Sequence, residues 1–142
     1  MRDPSFETLH ASCVAIGGRA VLIEGRSGSG KSDLALRLID RGAFLVSDDQ
    51  VIVRRDGARV LATPPDTIAG KLEIRGLGIV SLPAERDVPV GMIVTLVESE
   101  VERMPEDMMR DVTGVELPVI SLRAFEASAA AKVAVALSHL AR

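Results

Sequence analysis

The clearest chemical signature in the chain is a glycine-rich segment near the N-terminus. Residues 25–32 read Gly-Arg-Ser-Gly-Ser-Gly-Lys-Ser and match the pattern G-x-x-x-x-G-K-[ST]. Glycine permits positive φ and close backbone approach, so successive N–H groups of such a segment can surround phosphate oxygens. The expected phosphate-binding residues are Gly25, Arg26, Ser27, Gly28, Ser29, Gly30, Lys31 and Ser32.

Two side chains at the end of this loop add to the backbone groups. Lys31 brings a positive charge toward the β- and γ-phosphates, and the Ser32 hydroxyl is a hard oxygen ligand for Mg²⁺. A helix that begins here contributes about half a positive charge at its N-terminus. We therefore expect a nucleotide, or a related phosphate compound, to bind at the loop.

The elements expected around the loop support this interpretation. Residues 20–23 form a short apolar run bounded by glycines, which predicts a buried strand before the loop. The apolar spacing of residues 34–39 is helical and ends at Gly42. Residues 43–46 return as a second buried strand, and such a strand–loop–helix–strand unit favours parallel strands with a right-handed crossover.

Two acidic residues, Asp48 and Asp49, follow the second strand. They should lie at the C-terminal edge of the sheet, where ligands bind in open α/β sheets. Adjacent residues of a strand point to opposite faces, so both carboxylates reach one site only if the chain turns here. We expect one acid to meet Mg²⁺ or its waters and the other to act as a base. The alternative is a solvated turn before a hairpin.

Composition argues against several classes of function. With 17 Lys and Arg against 20 Asp and Glu, the formal charge of −3 gives no basic field for nucleic acid or an anionic membrane. No apolar run has the length of a membrane span and residues 1–7 lack a signal-peptide core, so we expect a cytoplasmic protein. Aromatic residues make up 2% of the chain, which predicts an aliphatic core, and the lone Cys13 is expected to be buried and inert.

The length of 142 residues fits a single domain, 1–142, with an α/β fold. Residues 51–61 predict a hairpin, and residues 78–80, 92–97 and 112–117 are further strand candidates. These elements predict a mixed, strand-rich sheet between two main helices. The stripe of the second helix is Leu122, Phe125, Ala129, Val133, Ala136, Leu137 and Leu140.

Three stretches together resemble the catalytic domain of bacterial HPr kinase/phosphorylase. They are His10 with the glycine-rich loop, residues 41–49 (Arg-Gly-Ala-Phe-Leu-Val-Ser-Asp-Asp) and residues 72–79 (Leu-Glu-Ile-Arg-Gly-Leu-Gly-Ile). The Glu-Ile-Arg-Gly-Leu-Gly segment is the signature of that family, and a generic phosphate-loop protein would not carry it. The resemblance is strong from residue 10 to residue 80 and weaker after it.

The resemblance implies a P-loop-containing α/β fold similar to the ATP site of phosphoenolpyruvate carboxykinase, with a C-terminal helix. It implies a kinase that uses ATP and Mg²⁺ to phosphorylate a serine of the phosphocarrier protein HPr, in the regulation of carbon metabolism. By position, Lys31 would contact phosphate, Ser32 and Glu73 would bind Mg²⁺, and Asp49 would be the base toward the serine. The reverse reaction would use inorganic phosphate.

Further residues come with alternatives. His10 and Arg103 fall where the resemblance implies active-site residues, and Asp48 joins them as the second acid of the pair. From the residues alone, a single histidine such as His10 is more often structural. Arg75 would contact phosphate or pair with a neighbouring acid.

The chain also departs from the family pattern. We expect the usual N-terminal domain to be missing; the segment after Gly78 is short, and residues 124–128 read Ala-Phe-Glu-Ala-Ser where long members carry a Gly-Arg-Asn loop linked to dephosphorylation. We therefore expect a short form, with phosphorolysis an open question and a homo-oligomer expected because long members are hexamers. Two other functions stay open: an ATP-sensing regulatory module without phosphoryl transfer, and a small-molecule kinase.

Overall fold

In the computed structural model, which describes residues 6–140, eleven strands and two helices follow one another along the chain. The predicted lack of a signal peptide concerns residues 1–7, of which 1–5 lie outside the described residues. The strands are β1 (Phe6–Leu9), β2 (Ser12–Ile16), β3 (Arg19–Glu24), β4 (Phe44–Ser47), β5 (Val51–Asp56), β6 (Arg59–Thr63), β7 (Lys71–Ile74), β8 (Gly78–Ser81), β9 (Val88–Leu96), β10 (Met108–Val112) and β11 (Val115–Leu122), and the helices are α1 (Lys31–Asp40) and α2 (Ala129–Leu140).

The main sheet divides at β9. Along one edge β9 pairs in parallel with β3, and along the other it pairs first with β6, antiparallel, and then with β11, in parallel. One branch therefore has the order β9-β6-β5-β1, and the other runs β4-β2-β3-β9-β11-β10. Strands β7 and β8 form a separate two-stranded sheet. The fold is α/β with a mixed, strand-rich sheet and a C-terminal helix, as predicted.

The strand–loop–helix–strand unit is confirmed, with one addition. Strands β3 and β4 run in the same direction, but β2 lies between them and is antiparallel to both. Residue Cys13 of β2 is paired with Leu22 of β3 on one side and with Ser47 of β4 on the other. Strand β2 comes before the unit in sequence. The residues of the unit therefore do not predict that another strand lies between β3 and β4.

Both helices lie on the same face of the sheet, so the prediction of a sheet between two helices is wrong. Val21 and Ile23 of β3 pack in one core cluster with Leu34 of α1 and Val133 of α2. The alternate side chains of β3, such as Leu22, pack on the opposite face with residues of β5 and β6. The sheet curls so that the branch β9-β6-β5-β1 covers the face that a helix was expected to cover.

Two element boundaries also differ from the prediction. Residues 112–117 do not form one strand, because Thr113 and Gly114 turn with φ of 49° and 90° and separate β10 from β11. Positive φ at both central residues is typical of the tightest hairpin turns. Helix α2 begins only at Ala129, so Leu122 belongs to β11 and Phe125 to the connection between them. The predicted strands at residues 78–80 and 92–97 and the hairpin of β5 and β6 are confirmed.

The core is aliphatic, as expected, and Cys13 is fully buried in it. Burial raises the pKa of the Cys13 thiol far above its usual range, so the thiol stays protonated at neutral pH. In the described part of the chain, no helix is long and apolar enough to cross a membrane.

Both faces of β3 are buried, so we expect alanine substitution of a leucine in β3 to cost far more stability than substitution of an exposed leucine. Leu22 is fully buried, whereas Leu77, in the turn between β7 and β8, is 73% exposed. We expect Leu22→Ala to lower the free energy of unfolding by about 2–5 kcal/mol and Leu77→Ala to change it by less than about 0.5 kcal/mol. Urea unfolding of both variants checks this, and equal losses would contradict the described core.

Candidate active site

The glycine-rich segment joins β3 to α1, as predicted: residues 25–30 form the connection, and Lys31 and Ser32 begin the helix. Helix α1 begins at Lys31, and its first intrahelical bond runs from the Leu34 N–H to the Gly30 carbonyl, at 2.9 Å. A turn bond from the Ser29 N–H to the Arg26 carbonyl, also 2.9 Å, closes the loop. The loop therefore lies directly over the N-terminus of α1, where backbone N–H groups without intrahelical partners favour an anion.

Two glycines of the loop are packed so closely that a side chain there would force neighbouring atoms to shift. A Cβ on Gly25 would lie 2.4 Å from the Ser29 Oγ atom and 3.1 Å from Leu96. Gly30 has a φ of 102°, and a Cβ there would lie 2.7 Å from the Ala124 Cβ and 2.9 Å from the Phe125 ring. Close packing therefore favours glycine at both positions, and at Gly30 the positive φ favours it as well.

Lys31 holds its ammonium group against the loop itself. The Nζ atom donates to the carbonyls of Gly25 at 2.9 Å and Arg26 at 3.2 Å, and the residue is buried. In residues 6–140, no carboxylate lies within ion-pair distance of this ammonium. A buried cation without a counter-charge is costly, so this arrangement favours binding of an anion at the loop.

The Asp48 carboxylate is the junction of four elements. It lies just after β4 and accepts hydrogen bonds from Ser12 of β2 at 2.9 Å, from Ser32 of α1 at 2.7 Å and from the Glu73 N–H of β7 at 3.2 Å. Asp48 is buried, and three donors satisfy its charge. Because Ser32 gives its proton to Asp48, the hydroxyl lone pairs of Ser32 are left for a cation.

Asp49 points away from Asp48, because the chain turns between them. The φ of Asp49 is 70°, and its N–H donates to the Ser12 Oγ atom at 3.2 Å. The Asp49 Oδ1 atom lies 2.9 Å from the Nε2 atom of His10, and both side chains are 63% exposed. Asp48 is thus fixed inside the site while Asp49 faces solvent beside it, which leaves Asp49 accessible to an incoming group.

The remaining predicted site residues are less closely held. Glu73 and Arg75 are exposed on and after β7, and only the backbone N–H of Glu73 is bonded to Asp48. Arg103 is exposed in the connection between β9 and β10 and makes no described hydrogen bond or ion pair within residues 6–140. The roles expected for these three side chains stay predictions.

The sequence analysis missed two residues that hold the site in place, Ser12 and Arg37. Ser12 bonds both acids, and its strand was not predicted, although the apolar run of residues 13–16 before two glycines carried that signal. Arg37 of α1 donates to the carbonyls of Ala124 and Glu126, the latter at 3.2 Å, so it holds the connection that packs on Gly30. The pair of Arg37 with Asp33, four residues earlier, was its only local signal.

The residues present fit a phosphate group with a divalent cation. The Ser29 Oγ atom is buried without a hydrogen-bond partner in the described chain, so the loop holds an unsatisfied polar atom beside its backbone donors. Ser32 and Asp48 offer hard oxygen atoms, which Mg²⁺ prefers. No group of three or more His, Cys, Asp and Glu side chains suited to a metal occurs within residues 6–140. A cation here would therefore draw its other ligands from phosphate and water, as Mg²⁺ commonly does.

Comparisons with known proteins show the family of the chain. The family model described as HPr Serine kinase C-terminal domain matches residues 5–138. The HPr kinase/phosphorylase of Chlorobium limicola is 42% identical over 130 residues, which are 82% of this chain and 39% of that protein. The HPr kinase/phosphorylase of Chlorobaculum tepidum is 40% identical over 134 residues, 84% of this chain and 39% of that protein. The chain thus spans well under half the length of these curated relatives.

A solved structure shows the same fold. The structure described as the Hpr(Ser) kinase/phosphatase from Coxiella burnetii matches with a TM-score of 0.81 at 24% sequence identity, and the match covers 93% of this chain and 94% of that chain. This likeness confirms the predicted fold class.

The packing of Gly30 yields a prediction with a matched control. Gly57, in the turn between β5 and β6, also has positive φ, but a Cβ there would meet nothing within 4 Å. Both variants put alanine at positive φ, 102° at Gly30 and 66° at Gly57, and only Gly30→Ala adds a collision with Ala124 and Phe125. We expect Gly30→Ala to lose about 1–3 kcal/mol more stability than Gly57→Ala in urea unfolding. Equal losses would contradict the close contact between the loop and residues 124–125.

Proposed function

We propose, because the chain belongs to the HPr serine kinase C-terminal domain family, that it transfers a phosphoryl group from ATP to a serine of the phosphocarrier protein HPr. The observation that carries this proposal is the position of two groups at one site. The Lys31 ammonium lies buried in the phosphate loop without a carboxylate partner in the described chain. Asp49, whose carboxylate is exposed, is joined to the start of α1 by hydrogen bonds through Ser12 and Asp48. The first group suits the phosphates of a donor, and the second suits the hydroxyl of an acceptor.

The loop would hold the donor phosphates. Its backbone N–H groups and the N-terminus of α1 face an anion, and Lys31 would exchange its carbonyl partners for phosphate oxygens. Ser32, Asp48 and Glu73 are the residues that would hold Mg²⁺. When bound, Mg²⁺ neutralises negative charge on the phosphates.

Asp49 would act as the base. As the serine oxygen forms its bond to the γ-phosphorus, the hydroxyl proton moves to the Asp49 carboxylate and the bond from phosphorus to the β–γ bridging oxygen breaks, releasing ADP. His10, at 2.9 Å from the Asp49 Oδ1 atom, would orient this carboxylate. Arg103 stays a predicted active-site residue, and only the family resemblance supports this prediction.

Other expectations stay predictions. These are the single-domain organisation, the reverse reaction with inorganic phosphate and the assembly of the chain into a homo-oligomer.

The proposed base can be tested with a matched pair of acids. Asp49→Asn removes the proton acceptor, so we expect the rate of HPr phosphorylation to fall by about 10²-fold or more while the Kd for ATP changes little. Asp56, an exposed acid of the β5–β6 hairpin, pairs only with Arg59 in the described chain. Asp56→Asn should therefore retain the full rate.

The measurement uses the purified chain, HPr, Mg²⁺ and radiolabelled ATP, with serine phosphate on HPr as the readout. An unchanged rate for Asp49→Asn would contradict the assignment of the base. Absence of serine phosphate with the wild-type chain would contradict the proposed activity, and ATP binding without transfer would favour a nucleotide-sensing module.

A further inference from the structure

The hydroxyl group of Ser12 lies between the two acids of the site. It donates a hydrogen bond to the Asp48 Oδ1 atom at 2.9 Å and accepts one from the Asp49 N–H at 3.2 Å. Ser12 is fully buried at the start of β2. Hydrogen bonds that are shielded from water are stronger than exposed ones, so this hydroxyl is well placed to fix the position of Asp49 relative to Asp48.

An irregularity in the sheet brings Ser12 to the acids. The register of β2 and β4 shifts between Val14 and Cys13, because Val46 of β4 has no residue opposite it. Such a bulge bends its strand and re-aims the side chains that follow. Beyond the bulge, Ser12 is the residue of β2 that is next in register with Asp48. The hydroxyl therefore lies where β4 ends and the turn with Asp49 begins.

The turn that carries Asp49 is strained. The Gln50 N–H donates to the carbonyl of Asp48, two residues earlier, at 2.8 Å, and Asp49 between them has a φ of 70°. A three-residue turn whose central residue has positive φ is rare and strained. Strained backbone at a site persists only where surrounding contacts hold it. The direction of the Asp49 side chain therefore depends on contacts from outside the turn.

Three contacts reach the turn, and they differ in what they fix. The Ser47 hydroxyl donates to the Gln50 carbonyl, which closes the turn on its own strand. His10 lies 2.9 Å from the Asp49 carboxylate, but both side chains are 63% exposed, and ion pairs in solvent are weak. Ser12 is buried and belongs to the neighbouring strand. Of the three, Ser12 is the contact that fixes the turn relative to the sheet.

We infer that Ser12 is a positioning residue, which holds the Asp49 carboxylate in the direction of the acceptor hydroxyl. This inference rests on the proposed function and deepens it, because it names the group through which the fold orients the proposed base. Without the Ser12 hydroxyl the Asp49 N–H loses its acceptor, and the turn relaxes from its strained conformation. A misplacement of about 1 Å at a reacting group can cost about 10²-fold in rate.

The first test separates transfer from donor binding. We expect Ser12→Ala to lower kcat for HPr phosphorylation by about 10- to 100-fold, and to change the Kd for ATP by less than about threefold, because the phosphate loop is untouched. Val14→Ala is the control. Val14 is a fully buried residue of the same strand that bonds neither acid, so its variant loses stability and should keep kcat within about threefold of the wild type.

The second test asks whether Ser12 acts through Asp49. In an Asp49→Asn background the base is already lost, so adding Ser12→Ala should lower kcat by less than about twofold further. Losses that multiply in the double variant would show that Ser12 acts elsewhere and would overturn the inference. Ser12→Cys replaces Ser12→Ala if the latter does not fold, since its thiol keeps the shape but bonds weakly, and it should also lower kcat.

Serine phosphate on HPr and calorimetric titration with ATP and Mg²⁺ supply the readouts. If Ser12→Ala and Ser12→Cys retain full kcat while Asp49→Asn is impaired, the inference is overturned and the proposed function stands. Equal losses in Ser12→Ala and Val14→Ala would assign Ser12 to packing alone, which also overturns it. If Asp49→Asn retains full kcat, or the wild-type chain forms no serine phosphate, the proposed function fails and this inference fails with it.

Discussion

The site depends on one electrostatic constraint, the placement of a buried lysine ammonium at the N-terminus of a helix. Lys31 and α1 both bring positive charge to the glycine-rich loop, and only backbone carbonyls of Gly25 and Arg26 offset the ammonium in the described chain. Such a concentration of one sign is unfavourable unless an anion binds. The glycines, the short β3–α1 connection and the packing of residue 30 on residues 124–125 all serve to hold this charge close to backbone donors.

Asp48 supplies the second constraint, because it joins the loop to the rest of the fold. Its carboxylate bonds Ser12, Ser32 and the backbone of Glu73, and thereby ties β2, α1 and β7 to the end of β4. The turn after Asp48 then places Asp49 beside the site with its side chain exposed. The two neighbouring acids thus differ in environment, one fixed by donors and one free to meet an acceptor.

Local patterns predicted the loop, α1 and the hairpin of β5 and β6, because glycine, lysine and apolar spacing act over a few residues. Non-local pairing was harder to predict. Strand β2 enters between β3 and β4 from earlier in the chain, and the curling of the sheet places both helices on one face. The turn at Thr113 was missed because Val112, Val115 and Leu117 were read as one strand, and a pocket beside Phe125 arises from three distant segments. The sequence identified Asp48 and Asp49 as candidate site residues. It could not show whether the chain turns between them, which decides where each carboxylate lies.

The most direct test of this account is the affinity of the loop for phosphate compounds with and without its ammonium group. Lys31→Met removes the charge and keeps an unbranched apolar chain, and calorimetric titration with pyrophosphate and Mg²⁺ measures the consequence. The account predicts that the wild-type chain binds pyrophosphate and that the variant, still folded by far-ultraviolet circular dichroism, binds about 10- to 100-fold more weakly. Equal affinity in the two proteins, or no binding by the wild type at millimolar concentration, would contradict it.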